Sequence, residues 1–260
     1  MENNSWAITE GDGPLVAAAI HSGHAVRDEI ADLLALDHDE RLREEDPFTD
    51  QWARVAANRL IGQKSRFEVD LNRPRSKAVY ISPEDAWGLQ VWKSAPPQSL
   101  IDASLAIHDA FYKDLHRFLS GLVKRYERVV IYDLHSYNHR RNDPDGEHAD
   151  PELNPEINLG TRTMYRRRWV TVVDRFLEDL RGFDFQGRHL DVRENVKFFG
   201  GHFSKWIHQE FPSSACVLSI EVKKMFMDEW TGQPDTESVE AVKQAIQSTV
   251  GGVLEELSKL

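Results

Sequence analysis

Three short apolar runs constrain this chain more than any other feature. Residues 15–20 (LVAAAI), 129–134 (VVIYDL, with Asp133 its one charge) and 215–220 (ACVLSI) read as strands buried on both faces. Residues 67–71 form a weaker candidate, because Glu68 and Asp70 interrupt it. Helical periodicity lies between the runs. Phe111, Leu115, Phe118 and Leu122 mark one helix face, and Trp169, Val173, Phe176 and Leu180 a second. Val239, Val242, Ile246 and Val253 mark a third, in a helix that Asp235 or Thr236 could cap. Strands alternating with helices predict a three-layer α/β/α fold on a mixed, mostly parallel sheet. No linker breaks the 260 residues, so they are expected to make a single domain. Residues 136–161 and 72–97 read as long loops, the second carrying four prolines.

Each apolar run is followed by a residue that can bind metal or move a proton: His21, His135 and Glu221. Ligands of open α/β sheets bind beyond the carboxyl ends of the strands, so the three point to one edge of one sheet. His24 follows His21 across Gly23, whose backbone freedom would let both imidazoles face one ion. The acidic segment 44–50, with Asp46 and Asp50, could complete a two-His, one-carboxylate metal site. Asp133 precedes His135 by two, on the same strand face, and could orient its ring. Arg66, Asn72 and Arg73 could fix anionic groups, since a guanidinium fork matches a carboxylate; the alternative is structural pairing of Arg73 with Asp70 or Glu68.

The formal net charge of −11 disfavours nucleic acid as a partner, and no run approaches the length of a membrane span. One cysteine, Cys216, excludes an internal disulfide and suits a reducing compartment. With no apolar leader at the N-terminus, a cytoplasmic location is expected.

Taken in order, several pieces resemble the N-formylglutamate amidohydrolase family: His21-Ser-Gly, the segment 46–50, Arg66 with Asp70-Leu-Asn-Arg-Pro74, and Asp133-Leu-His-Ser136. Pro155-Glu-Ile-Asn158-Leu-Gly-Thr161, Gly200-Gly201 and Leu218-Ser-Ile-Glu221 continue the series. That family is similar in fold to zinc carboxypeptidases and aspartoacylases. The resemblance implies one zinc ion, another divalent metal being the alternative, with His21 and His135 as ligands. It implies Glu221 as general base, Arg66 polarising the scissile carbonyl, and Asn72 and Arg73 holding the substrate carboxylate. Where the carboxypeptidase pattern has Glu three residues after its first His, this chain has His24. The third ligand is therefore expected to be Asp50, with Asp46 and His24 as alternates. Glu156 stands where the family has Asp, which marks a divergent branch. The implied reaction is hydrolysis of a small N-acyl acidic amino acid such as N-formylglutamate, to formate and glutamate. The alternatives are a metallocarboxypeptidase-like peptidase, another acyl-amino acid deacylase, and a non-catalytic binder of anionic metabolites.

Overall fold

Residues 5–141 and 143–260 are described by the structure, a computed structural model. Among them, seven strands form one sheet: β1 (Trp6–Thr9), β2 (Leu15–Ala19), β3 (Asn58–Gly62), β4 (Val129–Tyr137), β5 (Ile157–Gly160), β6 (Val192–Glu194) and β7 (Ala215–Lys223). Their spatial order is β1-β3-β2-β4-β7-β5-β6. The central four, β3, β2, β4 and β7, are parallel. At one edge β1 joins β3 antiparallel; at the other β5 joins β7 antiparallel and carries β6 parallel to itself. The helices are α1 (Asp28–Ala31), α2 (His38–Glu44), α3 (Thr49–Trp52), α4 (Gln98–Tyr126), α5 (Val170–Gly182), α6 (His202–Glu210) and α7 (Thr236–Ser258).

The apolar runs form strands because both of their faces are covered. Leu15, Ala17, Tyr132, Leu134, Leu218 and Ile220 pack toward Phe176 and Leu180 of α5 and Val242, Ile246 and Val253 of α7. Their neighbours in sequence, Val16, Ala18, Val129, Ile131, Ala215 and Val217, pack on the other face. There they meet Phe111, Leu115 and Leu119 of α4 and Phe203 and Ile207 of α6. The period-two alternation of a strand thus feeds two apolar layers from one run, giving the three-layer α/β/α arrangement. Burying each Leu or Phe of these layers contributes roughly 1.5–3 kcal/mol before entropy is subtracted. Asp235, not Thr236, caps α7, accepting from the backbone N–H groups of Glu237 and Ser238 at 3.1 and 3.2 Å. Among the described residues no helix is long and apolar enough to cross a membrane.

Three expectations need correction. Strands β4 and β7 run past their apolar stretches to Tyr137 and Lys223, so His135 and Glu221 stand inside strands, not after them. Residues 67–71 are a series of turns, in which Glu68 is buried to hold the Arg27 backbone N–H at 2.7 Å and its Nε at 2.9 Å. The polar segment 136–161 contains the end of β4 and all of β5, whose four residues are buried between β7 and β6.

Candidate active site

On the α4/α6 face, β4 reads Val129, Ile131, Asp133, His135 and β7 reads Ala215, Val217, Ser219, Glu221. Both strands switch from apolar to polar at the same height. The parallel register sets Asp133 beside Ser219 and His135 beside Glu221, and Ser219 Oγ donates to Asp133 Oδ2 at 3.1 Å. Strand β2 delivers His21 just past its own end. The sheet's carboxyl edge thereby carries two imidazoles and a carboxylate on adjacent strands.

A third side chain able to bind a metal comes from the turn between α2 and α3. The Asp46 backbone N–H donates to the His21 carbonyl at 3.0 Å, and Thr49 Oγ1 donates to the Asp46 carbonyl at 2.6 Å. Asp46 is 2% exposed and faces both histidines. Its Oδ2 lies 2.8 Å from His135 Nδ1 and 3.4 Å from His21 Nδ1. One ligand atom from each of His21, Asp46 and His135 falls within 4.8 Å of the other two. On their far edges the rings are tied to separate carboxylates, His21 Nε2 to Asp70 Oδ1 at 2.8 Å and His135 Nε2 to Asp133 Oδ1 at 2.9 Å. A carboxylate that takes the Nε2–H fixes the tautomer and leaves the Nδ1 lone pair for a cation.

Among the described residues, buried His21 Nδ1 has no hydrogen-bond partner, a state that is costly unless a cation completes it. Two imidazole nitrogens and one carboxylate suit zinc, with a coordination position left over for water or substrate. The residues present therefore fit a divalent metal.

Asp50 does not join this group. It sits in the first turn of α3, partly exposed, and α3 is drawn away to α7 by Trp52 Nε1, which donates to the Val239 carbonyl at 3.1 Å. Phe48, in the left-handed region at φ 70°, turns the chain between the two acids. The carboxylate at the histidines is Asp46, in place of the expected Asp50. His24, the other alternate, is turned to Glu45, with which its Nδ1 makes a short contact.

The Glu221 carboxyl accepts no hydrogen bond among the described residues and faces the same cavity. Burial pushes its carboxyl up to about 8; the His135 charge opposes that, while Asp46 and Asp133 add to it. Asp46 behaves oppositely: burial would raise it, but His135 and His21 hold it well below the usual carboxylate range. Two carboxyls with divergent affinities for protons in one cavity are what a division of labour between ligand and proton carrier requires.

The cavity measures about 420 Å³, within the range of small-molecule sites. His21, Asp46, His135 and Glu221 form its floor; Arg66, Asn72, Trp87, Arg141, Lys197 and Lys224 are among its walls. Arg66 is held in place by four contacts, which use three of its five N–H donors. Its Nε donates to Tyr80 Oη at 3.1 Å, its guanidinium nitrogens to the Glu44 carbonyl at 3.2 Å and Asp70 Oδ2 at 2.9 Å, and it lies 4.9 Å over the Trp87 ring. Asn72 is fixed by Phe203 N–H, which donates to its Oδ1 at 2.9 Å, and its Nδ2 lies 3.4 Å from His135 Nε2. That approach demands a glycine at 201, since a Cβ there would stand 2.2 Å from Asn72 Oδ1.

Arg73 does not line the cavity. Its guanidinium lies 4.7 Å over the Tyr80 ring, with Nε 3.7 Å from Asp70 Oδ2, so the structural pairing with Asp70 is the contact observed. Asp70 thereby gathers Arg66, Arg73, Tyr80 and His21 around one carboxylate. Sequence reasoning missed Trp87, Arg141, Lys197 and Lys224. Each lies in a loop or past a strand end, where no periodicity marks it. Lys224 alone left a signal, as a charge three residues after Glu221; it is buried and donates to the Glu45 carbonyl at 2.8 Å. Burial lowers its ammonium to about 8, against the carboxylates of Asp46 and Glu44.

A buried His–carboxylate–His group beside a displaced carboxyl, on the carboxyl edge of a mostly parallel sheet, is the arrangement of a hydrolytic α/β enzyme. The chain belongs to the N-formylglutamate amidohydrolase family, whose model matches residues 13–227, and it is thus a hydrolase acting on an amide. Solved structures similar to it include the N-formylglutamate amidohydrolase from Ralstonia eutropha JMP134, with a TM-score of 0.77 and 17% identity over 99% of each chain. A gene product of Agrobacterium tumefaciens matches at 0.71, with 16% identity over 99% of this chain and 97% of that one. These two share the fold. No curated protein sequence matches the chain.

Proposed function

We propose that the protein hydrolyses the N-acyl bond of N-formylglutamate, or of a closely related N-acyl acidic amino acid, with one zinc ion as cofactor. Water adds to the acyl carbon, the C–N bond breaks, and formate and the free amino acid leave. The observation that carries this reading is the buried Nδ1 of His21, without a hydrogen bond among the described residues and turned with His135 Nδ1 toward one oxygen of Asp46.

His21, Asp46 and His135 would hold the metal, and Asp70 and Asp133 would keep both imidazoles in the tautomer that frees Nδ1. When bound, zinc supplies the Lewis acidity that makes water a usable nucleophile near neutral pH and polarises a carbonyl. Glu221 serves as the proton carrier. Burial makes its carboxylate a stronger base, and that carboxylate takes a proton from the attacking water and returns it to the departing nitrogen. Arg66, immobilised by four contacts, stabilises the negative oxygen of the tetrahedral adduct without having to reorganise. Asn72, beside His135, offers its amide to the α-carboxylate next to the scissile bond. Arg73 steadies Tyr80 and Asp70 behind the wall.

The test is a panel of N-formyl, N-acetyl and N-succinyl amino acids on zinc-loaded protein. The expected result is highest kcat/KM on N-formylglutamate and negligible turnover after the metal is removed. Release of C-terminal residues from peptides, with no action on any N-acyl amino acid, would replace this reading with a carboxypeptidase-like one.

A further inference from the structure

The cavity holds four cationic side chains, and three of them have partners within the protein. Arg66 is paired with Asp70. Arg141 donates to Glu44 Oε2 at 2.6 Å. Lys224 is enclosed by the carbonyls of Arg43 and Glu45. Lys197 differs: among the described residues no carboxylate pairs with it. It is partly buried, its Nζ meets the neutral amide oxygen of Asn154, and it lies 4.7 Å over the Tyr137 ring and 5.7 Å over the Phe198 ring. Burial and the neighbouring Arg141 charge lower its affinity for a proton, with the more distant carboxylates of Glu221 and Glu229 opposing the shift. An ammonium held by an amide and two ring faces, with no carboxylate in contact with it among the described residues, is stabilised by an anion that enters from the cavity.

Its place on the wall indicates which anion. Arg66 touches Asp70, the carboxylate that holds His21, and Asn72 lies against His135 itself, so they serve atoms next to the scissile bond. Lys197 and Arg141 touch neither histidine nor either orienting carboxylate; their contacts are Asn154, Tyr137, Phe198, Glu44 and Trp87. A substrate with its amide at the metal group and its α-carboxylate at Asn72 has one other part that can reach them, its side chain.

We infer that Lys197, with Arg141 beside it, binds the side-chain carboxylate of the N-acyl amino acid and so makes the site selective for dicarboxylic substrates. This inference rests on the function proposed above. It assigns acidic-side-chain recognition to residues 141 and 197 and not to Arg73.

The experiment compares N-formyl-L-glutamate with its neutral isostere N-formyl-L-glutamine, on wild type and on Lys197→Gln and Lys197→Arg. Loss of one charge-assisted contact predicts a fall of about 10- to 100-fold in kcat/KM for formylglutamate in Lys197→Gln. The loss on formylglutamine should be several-fold smaller, and Lys197→Arg should restore most of the preference for the acid. Equal losses on both substrates, or an unchanged preference, would overturn the inference while leaving the proposed function standing. If wild type hydrolyses neither compound, the proposed function fails, and calorimetric binding of L-glutamate and L-glutamine decides the inference separately. Weaker glutamate binding in Lys197→Gln, with glutamine unaffected, upholds it; identical glutamate binding in both proteins refutes it.

Discussion

Replacing Glu221 by Gln keeps the size of the side chain and removes its basicity. Because Glu221 is not among the three converging ligand groups, zinc content should survive. The kcat for N-formylglutamate should fall by about 10²–10⁴-fold, the scale of general acid–base catalysis. Retention of near-normal kcat would exclude the residue as proton carrier, and loss of zinc would make it a ligand. The choice of carboxylate ligand is open to a similar comparison. Asp46 is 2% exposed and 2.8 Å from His135 Nδ1, whereas Asp50 lies on α3 with its helix tied to Val239. Asp46→Asn should therefore lose stoichiometric zinc after dialysis and Asp50→Asn should keep it. The opposite pattern in elemental analysis would return the assignment to Asp50.

Strand β7 and helix α6 meet at a histidine with a fixed tautomer. His208 Nε2 accepts from the Val217 backbone N–H at 3.0 Å, so Nδ1 carries the hydrogen toward Thr163 Oγ1, 3.1 Å away. A proton on Nε2 would break the bond to the strand. Burial accordingly lowers this imidazole from 6.5 to about 4, with Asp133 opposing the shift. The sign follows from proton counts: between pH 6.5 and 4 the unfolded chain binds a proton that the folded chain refuses. Stability due to this group is complete above 6.5 and falls through the window, by on the order of 3 kcal/mol once pH is below about 4. Urea midpoints at about pH 7 and about pH 4.5 should separate more for wild type than for His208→Gln. Equal separations would show that α6 tolerates the charged ring.

Both apolar layers are built on the same sheet, and neither includes a residue of the proposed metal site. We propose on that basis that the chain forms one domain and unfolds in a single calorimetric transition; two separable transitions would divide it. Chelation should abolish turnover and leave far-ultraviolet circular dichroism unchanged, since the sheet and its covering helices do not depend on the cation. At free zinc near one hundred times its Kd, linkage stabilises the folded state by about 2.7 kcal/mol. Metal removal should then lower Tm by roughly 5–10 °C for a chain of this size. A collapse of the helical signal on chelation would show that the site is structural.

The amino-acid sequence by itself determined the layered fold. Runs 15–20, 129–134 and 215–220 are apolar at nearly every position because each strand is covered on both faces, a pattern that survives without knowledge of neighbours. It also marked His21, His135 and Glu221, since a polar residue closing such a run must face the sheet edge. Strand β3, with its half-buried alternation, and β5, inside a polar segment, left no such signal. What only the tertiary structure decided is the content of the loops. Nothing local separates Asp46 from Asp50; one backbone hydrogen bond, from Asp46 N–H to the carbonyl of His21, places the first at the histidines. Arg73 and Lys197 exchanged importance for the same reason. A cation's role depends on which carboxylates reach it, and Arg73 lies within 4 Å of Asp70, whereas no carboxylate of the described chain pairs with Lys197. Periodicity encodes burial along one segment, but the pairing of charges is settled between segments far apart in the chain.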